Sequence, residues 1–204
     1  MSKTRAEKIK LVLFDVDGVL TDGSIWLLPV SPAVDLPTQA AAAPKADSGG
    51  YAIVSQHMVE AKAFHAHDGT AVSLARAAGL KVGLITKRIT EAVRLRARDL
   101  RLDYVMQGVA DKRAALQEIL VKEGLRAEEV AFVGDDIIDL PIMRACGLAF
   151  AVADARAEVK DAAHVITERA GGRGAARDAI EYILNAQNKL NDAIEAYLGN
   201  RVIE

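Results

Sequence analysis

Several features of secreted, membrane and nucleic-acid-binding proteins are scarce or missing in this sequence. It has one cysteine, Cys146, so it cannot form an internal disulfide, and the context IMRACGLAF predicts a structural thiol at a helix end packed on the core. The basic start, MSKTRAEKIK, precedes no long apolar run, which predicts neither a signal peptide nor a membrane helix. The net charge of -2 gives no basic surface for nucleic acid or an anionic membrane. These absences favour a cytoplasmic protein.

The length and patterning of the chain predict one α/β domain. With 204 residues, 51% hydrophobic and 26% charged, it can bury a sizeable core without disulfides or structural metals. Apolar runs (KLVLF, KVGLIT, DYVM, VAFVG and GLAFAV) alternate with segments of helical period such as DGTAVSLARAAGL and DKRAALQEILVKEGL. Such alternation predicts a doubly wound parallel sheet, with functional residues at the carboxyl ends of its strands.

Two segments depart from this alternation. Residues 29–50 hold four of the five prolines and no periodic apolar face; flanked by SIWLL and YAIVSQHMVEAKAF, they predict a hairpin flap over 24–64 with an extended tip. A tolerated surface loop is the favoured interpretation of 29–50, and an extension that closes a neighbour's site is the alternative. Residues 174–204 predict an amphipathic helical tail that packs either on its own domain or on a second subunit.

Chemically useful side chains follow four of the predicted strands. Asp15 and Asp17 follow the first, Thr86 ends the second, Lys112 opens the helix after the third, and GDDIID, which contains Asp135, follows the fourth. Each element alone has an ordinary explanation, such as a turn at Asp17 or a helix cap. Their joint appearance in this order predicts a site.

Carboxylates gathered at one sheet edge repel one another and require a cation. Two like charges about 4 Å apart cost roughly 4 kcal/mol at an effective dielectric near 20. Oxygen ligands favour Mg²⁺ over zinc, and Asp15, Asp135 and the backbone carbonyl of Asp17 can supply them. A phosphate can then bind Lys112 and Thr86, which predicts phosphoryl transfer. Asp15 can attack phosphorus while Asp17 protonates the leaving oxygen.

These motifs resemble the four motifs of the haloacid dehalogenase superfamily of Mg²⁺-dependent phosphatases. The matching segments are DVDGVLTDG, the Thr of LIT, the Lys of QGVADKRAAL, and GDDIIDLPIM. Within the superfamily the chain most resembles the 3-deoxy-D-manno-octulosonate 8-phosphate phosphatases, through KAFHAHDG and AGGRGAARDAIEYIL as well. The resemblance implies hydrolysis of a phosphorylated sugar acid in lipopolysaccharide synthesis, no large cap domain, and a homotetramer whose subunits help to close each other's sites.

The resemblance also implies roles for individual residues. It makes Asp15 the nucleophile, Asp17 the general acid and base, and Asp15, Asp17 and Asp135 the metal ligands. Phosphate and substrate contacts are expected from Thr86, Lys112, Arg173 and His67, with Asp136 and Asp139 as supports that orient Lys112 or metal-bound water.

Two positions depart from the family pattern. Lys87 stands where the family has a glycine, and His67 stands where it often has a basic residue. His65 and His67 are expected on alternate strand positions, sharing one face, and HAHD lacks further ligands for zinc. A neutral imidazole holds a carboxylate less firmly than lysine or arginine does, so a nine-carbon ulosonic acid 9-phosphate remains an alternative substrate. A non-catalytic scaffold subunit is the alternative of another class.

Overall fold

The structure is a computed structural model that describes residues 2–30, 50–53, 55 and 57–199. Its strands, in chain order, are β1 (Leu11–Phe14), β2 (Trp26–Pro29), β3 (Met58–Ala61), β4 (Lys81–Thr86), β5 (Tyr104–Gln107), β6 (Val130–Gly134), β7 (Leu148–Ala151) and β8 (Val165–Ile166). Its helices are α1 (Ser2–Ala6), α2 (Ala66–Ala77), α3 (Glu91–Asp99), α4 (Lys112–Glu123), α5 (Leu140–Met143), α6 (Ala157–Ala162), α7 (Ala175–Ala186) and α8 (Leu190–Leu198).

Six parallel strands form the main sheet, in the order β5-β4-β1-β6-β7-β8. Every residue of β1, β6 and β7 is buried, as expected for strands covered on both faces by helices. The doubly wound α/β fold predicted from the sequence is therefore confirmed. The additional strand β8 has two residues, which is too short for its periodicity to be recognised.

The strand register aligns the ends that carry the predicted site. Phe14, the last residue of β1, pairs with Leu84 of β4 on one side and with Val133 of β6 on the other. Asp15 follows Phe14, so the residues at the ends of β4 and β6 lie beside it. The adjacency of these three strand ends creates a site from segments far apart in the sequence.

Strands β2 and β3 form a separate antiparallel hairpin with Trp26 opposite Ala61. The tip of the predicted flap, residues 31–49, lies outside the described residues. Where the structure describes the chain, no large cap domain is present, and this hairpin is the only sheet apart from the main one.

The C-terminal segment forms two helices rather than one. Helix α7 buries Ile180, Ile183 and Leu184 against α1 and α2 of the same chain. Asn188, with φ of 56°, breaks the helix before α8, where Leu198 is 61% exposed. Helix α8 nevertheless packs on α2 and buries Ala193, so both helices of the tail pack on their own domain.

The placement of His65 and His67 on a strand is wrong. Strand β3 ends at Ala61, His65 is the residue before α2, and His67 is an exposed residue in the first turn of that helix. Asp68 explains the difference, because an acid favours the first turn of a helix and its Oδ1 accepts a 2.9 Å hydrogen bond from the backbone of Arg177 in α7. The two imidazole rings still make an edge contact, with centroids 4.9 Å apart.

None of the helices among the described residues is long and apolar enough to cross a bilayer.

Candidate active site at the carboxyl edge of the sheet

The chain turns sharply after β1 and leaves Asp15 buried at the strand end. The Asp15 amide donates to Val133 O at 3.0 Å, continuing the ladder to β6. The amides of Leu20 and Thr21, each at 3.0 Å, and the Thr21 hydroxyl at 3.2 Å converge on the carbonyl of Val16. This compact turn gives the Asp15 carboxylate a defined position.

Lys112 lies between two buried carboxylates. Its Nζ is 2.8 Å from Asp15 Oδ1 and 2.6 Å from Asp139 Oδ1. Lys112 opens α4, where Asp111 caps the helix by accepting from the amides of Arg113 and Ala114 at 3.0 Å. The cap fixes the start of α4, and the ammonium therefore reaches the end of β1.

Asp135 completes a cluster of three acids with Asp15 and Asp139, whose carboxylate oxygens lie within 4.8 Å of one another. Asp139 Oδ2 accepts from the Asp135 amide at 3.1 Å, so both Asp139 oxygens have partners. Asp135 Oδ1, by contrast, is buried and has no hydrogen-bond partner among the described residues. A buried carboxylate oxygen without a partner is costly, so Asp135 Oδ1 is available to bind a cation.

The electrostatics of the cluster follow from its burial. Burial, followed by the charges of Asp15 and Asp139, raises the pKa of Asp135 to about 8. Burial and the charge of Asp139 also raise the pKa of Asp15, despite the neighbouring ammonium. For Lys112, burial lowers the pKa, but the charges of Asp15 and Asp139 outweigh it and the net shift is upward. One ammonium does not balance three carboxylates.

These residues fit a hard divalent cation. The all-oxygen donor set, the excess negative charge and the free oxygen of Asp135 match the preference of Mg²⁺ for carboxylates in a site that keeps waters. Both Asp139 oxygens already have partners, in Lys112 and the Asp135 amide. This leaves Asp135 and the Asp15 carboxylate, one oxygen of which pairs with Lys112, as the groups that can take a cation.

Asp17 lies in a second cluster of charges at the same edge. Its Oδ1 accepts from Lys62 Nζ, and its Oδ2 lies 3.3 Å from Arg88 Nε. Both cations also approach Glu60, with Lys62 Nζ 3.0 Å from Oε1 and Arg88 Nη1 3.7 Å from Oε2. Thr86, 2% exposed, ends β4, and its hydroxyl accepts from the Arg88 amide at 3.3 Å.

The remaining predicted residues lie at the periphery. The Asp136 side chain is half-exposed; it accepts from the Ile137 amide at 2.7 Å, and no described contact joins it to Lys112. Arg173 is exposed, with its Nη2 3.8 Å from Asp22 Oδ2. Its loop contacts the turn after β1, where the Gly172 amide donates to Val19 O at 2.9 Å. No described contact links His67 to the acidic cluster.

Sequence analysis missed Glu60 and Arg88 as parts of this site. A usable signal existed, because Glu60 and Lys62 stand two residues apart at the end of a predicted strand and so point to the same face. Arg88 follows Thr86 by two residues. The pairing of this hairpin with Asp17 is tertiary, and no local pattern encodes it.

Comparison with known proteins adds an independent result. Residues 75–178 match the family model described as haloacid dehalogenase-like hydrolase. A curated relative, the 3-deoxy-D-manno-octulosonate 8-phosphate phosphatase of Salmonella typhi, is 35% identical over 190 residues, covering 93% of this chain and 87% of the relative.

Solved structures give the same result. The 3-deoxy-D-manno-octulosonate 8-phosphate phosphatase from Yersinia pestis is 34% identical to this chain and superposes with a TM-score of 0.77. The alignment covers 93% of this chain and 88% of the Yersinia chain. The enzyme of that name from Moraxella catarrhalis, in complex with magnesium, phosphate and KDO, is 29% identical and also has a TM-score of 0.77. The alignment covers 96% of this chain and 97% of the Moraxella chain.

Proposed function

The chain belongs to the haloacid dehalogenase-like hydrolase family, and we propose from this that it is a Mg²⁺-dependent phosphatase that hydrolyses 3-deoxy-D-manno-octulosonate 8-phosphate to the sugar acid and phosphate. The observation that carries the proposal is the buried Lys112 held between Asp15 and Asp139, beside the unpartnered oxygen of Asp135. The names of the relatives support this substrate. We assign the reaction to lipopolysaccharide biosynthesis.

Asp15 is the nucleophile in this proposal. One of its carboxylate oxygens bonds to phosphorus, the bond from phosphorus to the ester oxygen breaks, and the departing oxygen takes a proton from Asp17. Water then attacks the aspartyl-phosphate and gives its proton to Asp17, releasing phosphate and restoring the Asp15 carboxylate. Lys112 and the Thr86 hydroxyl hold phosphoryl oxygens and counter the charge that they carry.

The cation is assigned to the carboxylates of Asp15 and Asp135 and the backbone carbonyl of Asp17. When bound, Mg²⁺ neutralises negative charge on the phosphoryl group. Asp139 acts as a support, since it holds Lys112 and the Asp135 amide. Asp136, Arg173 and His67 are assigned to the rim, with Arg173 and His67 available to contact the sugar acid.

A homotetramer of a cytoplasmic enzyme is the proposed assembly. The hairpin supports it, because β2 exposes Trp26, Leu27 and Leu28, which are 45–59% exposed, together with the adjacent Ile25 at 46%. An apolar strip of this kind marks an interaction surface on a protein of this size. The proposed organisation is one hydrolase domain over 1–204, with a flap at 24–64 that carries the insertion 29–50, and a tail at 174–204.

The direct test is phosphate release with Mg²⁺ from a panel of sugar phosphates that includes the eight-carbon and nine-carbon ulosonic acid phosphates. Asp15→Asn serves as the blank, because it keeps the shape of the side chain and removes the nucleophile. Preference for the eight-carbon ester supports the proposal, whereas preference for the nine-carbon ester keeps the mechanism and changes the substrate. No release from any ester would favour the non-catalytic scaffold.

A further inference from the structure

The charges around Asp17 form a closed ring of two acids and two cations. Lys62 donates a hydrogen bond to Asp17 Oδ1, and the other three contacts are ion pairs without hydrogen-bond geometry. Lys62 Nζ lies 3.0 Å from Glu60 Oε1, and Arg88 lies 3.3 Å from Asp17 Oδ2 and 3.7 Å from Glu60 Oε2. Each cation thus bridges the two carboxylates. The four residues come from three segments: the turn after β1, the end of the hairpin, and the loop after β4.

Glu60 is the most enclosed acid of this ring. Its side chain is 4% exposed, that of Asp17 is 26% exposed, and the Lys62 side chain is fully buried. Glu60 is therefore enclosed by protein, whereas Asp17 is partly open to solvent. Lys62 and Arg88 thus connect the buried Glu60 to the partly exposed Asp17.

Ion pairs that are shielded from water hold their geometry more firmly than exposed ones. Without the Glu60 charge, Lys62 and Arg88 each lose their second carboxylate partner. Both cations can then move with Asp17 or turn towards solvent. Asp17 would keep its carboxyl group but lose the two-sided clamp that sets the direction of its oxygens.

We propose that Glu60 is a positioning residue that orients Asp17 through Lys62 and Arg88 for proton transfer to the leaving oxygen. This inference rests on the proposed phosphatase function and on the assignment of Asp17 as the general acid. The ion pairs of Glu60 among the described residues are with Lys62 and Arg88 and not with the nucleophile Asp15.

Comparing substrates with different leaving groups distinguishes a positioning role of Glu60 from a general structural role. A sugar alkoxide needs a proton as its bond to phosphorus breaks, whereas a p-nitrophenolate leaves without one. The ratio kcat/KM covers only the steps up to departure of the leaving group. Mispositioning of Asp17 should therefore lower kcat/KM for a sugar phosphate and largely spare p-nitrophenyl phosphate.

The experiment compares Glu60→Gln with wild type on 3-deoxy-D-manno-octulosonate 8-phosphate and on p-nitrophenyl phosphate, both with saturating Mg²⁺. We expect a loss of about tenfold or more in kcat/KM for the sugar phosphate, since general acid catalysis contributes roughly 10²- to 10⁴-fold, and less than about threefold for the aryl ester. Glu129→Gln is the matched control. Glu129 is also buried and ion-paired, to Lys10 at 2.7 Å, but it lies at the opposite end of β6, and its variant should leave both ratios unchanged.

A double-mutant cycle then asks whether Glu60 acts through Asp17. In an Asp17→Asn background, Glu60→Gln should cause little further loss, because the group that it positions is gone. Equal losses on both substrates, or additive losses in the cycle, would overturn the proposal. If Glu60→Gln fails to fold, Glu60→Asp keeps the charge but shortens the reach, and the same selective loss on the sugar phosphate is expected.

Failure of the proposed function would look different. In that case wild type itself would release no phosphate from either ester, or Asp15→Asn would remain as active as wild type. Normal wild-type turnover combined with an unselective Glu60→Gln would instead refute only the role of Glu60.

Discussion

Gly18 lies so close to Asp135 that a β-carbon at position 18 would sit 2.1 Å from Asp135 Oδ2. Gly18 also has φ of +88°, a conformation that side chains other than glycine rarely adopt. The turn after β1 thus requires glycine for two independent reasons, one in the backbone and one in the acid cluster. The proposed metal ligand Asp135 can occupy its position only because this residue has no side chain.

Gly18→Ala should therefore impair activity more than stability. The added methyl group must displace Asp135, and a displacement of about 1 Å in a catalytic group costs roughly 100-fold in rate. Gly79→Ala is the control, because Gly79 has φ of +81° but a β-carbon added there would meet no atom within 4 Å, so it carries the backbone strain alone. We expect both variants to lose about 1 kcal/mol of stability. Only Gly18→Ala should lose activity, and equal activities of the two variants would contradict this.

The metal-free protein should lose stability as pH rises. Asp135, with its pKa raised to about 8, keeps a proton in the folded state that the unfolded chain gives up near its ordinary value of 3.8. The folded state therefore binds more protons between these values, and the free energy of unfolding falls with pH by at most about 1.4 kcal/mol per unit for each proton.

Urea unfolding in EDTA at pH 5.5 and pH 8.0 measures this slope. Mg²⁺ should reduce it, because a bound cation replaces the proton, and Asp135→Asn should reduce it in EDTA because the titrating group is absent. A flat profile for metal-free wild type would contradict the buried, proton-retaining Asp135.

Cys146 should be unreactive in the folded protein. Burial raises the pKa of its thiol to about 12, and its side chain lies among backbone carbonyls, with Sγ 3.4 Å from Met143 O. At pH 8 a thiol-specific dye should label the protein only in denaturant, with the same midpoint as the loss of helical circular dichroism. Because it is the sole cysteine, Cys146→Ala gives the reagent blank, and rapid labelling under native conditions would contradict this prediction.

The assembly should depend on the exposed face of the hairpin. Trp26, 59% exposed on β2, is expected at a subunit contact, so Trp26→Glu should lower the mass of the assembly in light scattering. Val121→Glu is the control, because Val121 is 74% exposed but lies on α4, away from the hairpin. Equal masses for wild type and both variants would remove the hairpin from the interface.

Local patterns were sufficient for the regular part of the fold. Strands such as β4 and β6 are continuous apolar runs, and α4 begins at the Asp111 cap that precedes Lys112. Periodicity predicted the wrong secondary structure where a tertiary contact decides it. His65 and His67 resemble alternating strand residues, yet the bond between Asp68 and the backbone of Arg177 holds this stretch at the start of a helix.

The sequence by itself determined the class of fold and the order of Asp15, Thr86, Lys112 and Asp135 at successive strand ends, because strand and helix periods are local and parallel strands place their carboxyl ends together. Tertiary structure alone decided which charges meet. Asp139 holds Lys112 across 27 positions and Lys62 reaches Asp17 across 45, and these pairings depend on how the hairpin and loops pack. The partners of a buried charge are set by three-dimensional proximity and desolvation, which residue spacing does not encode.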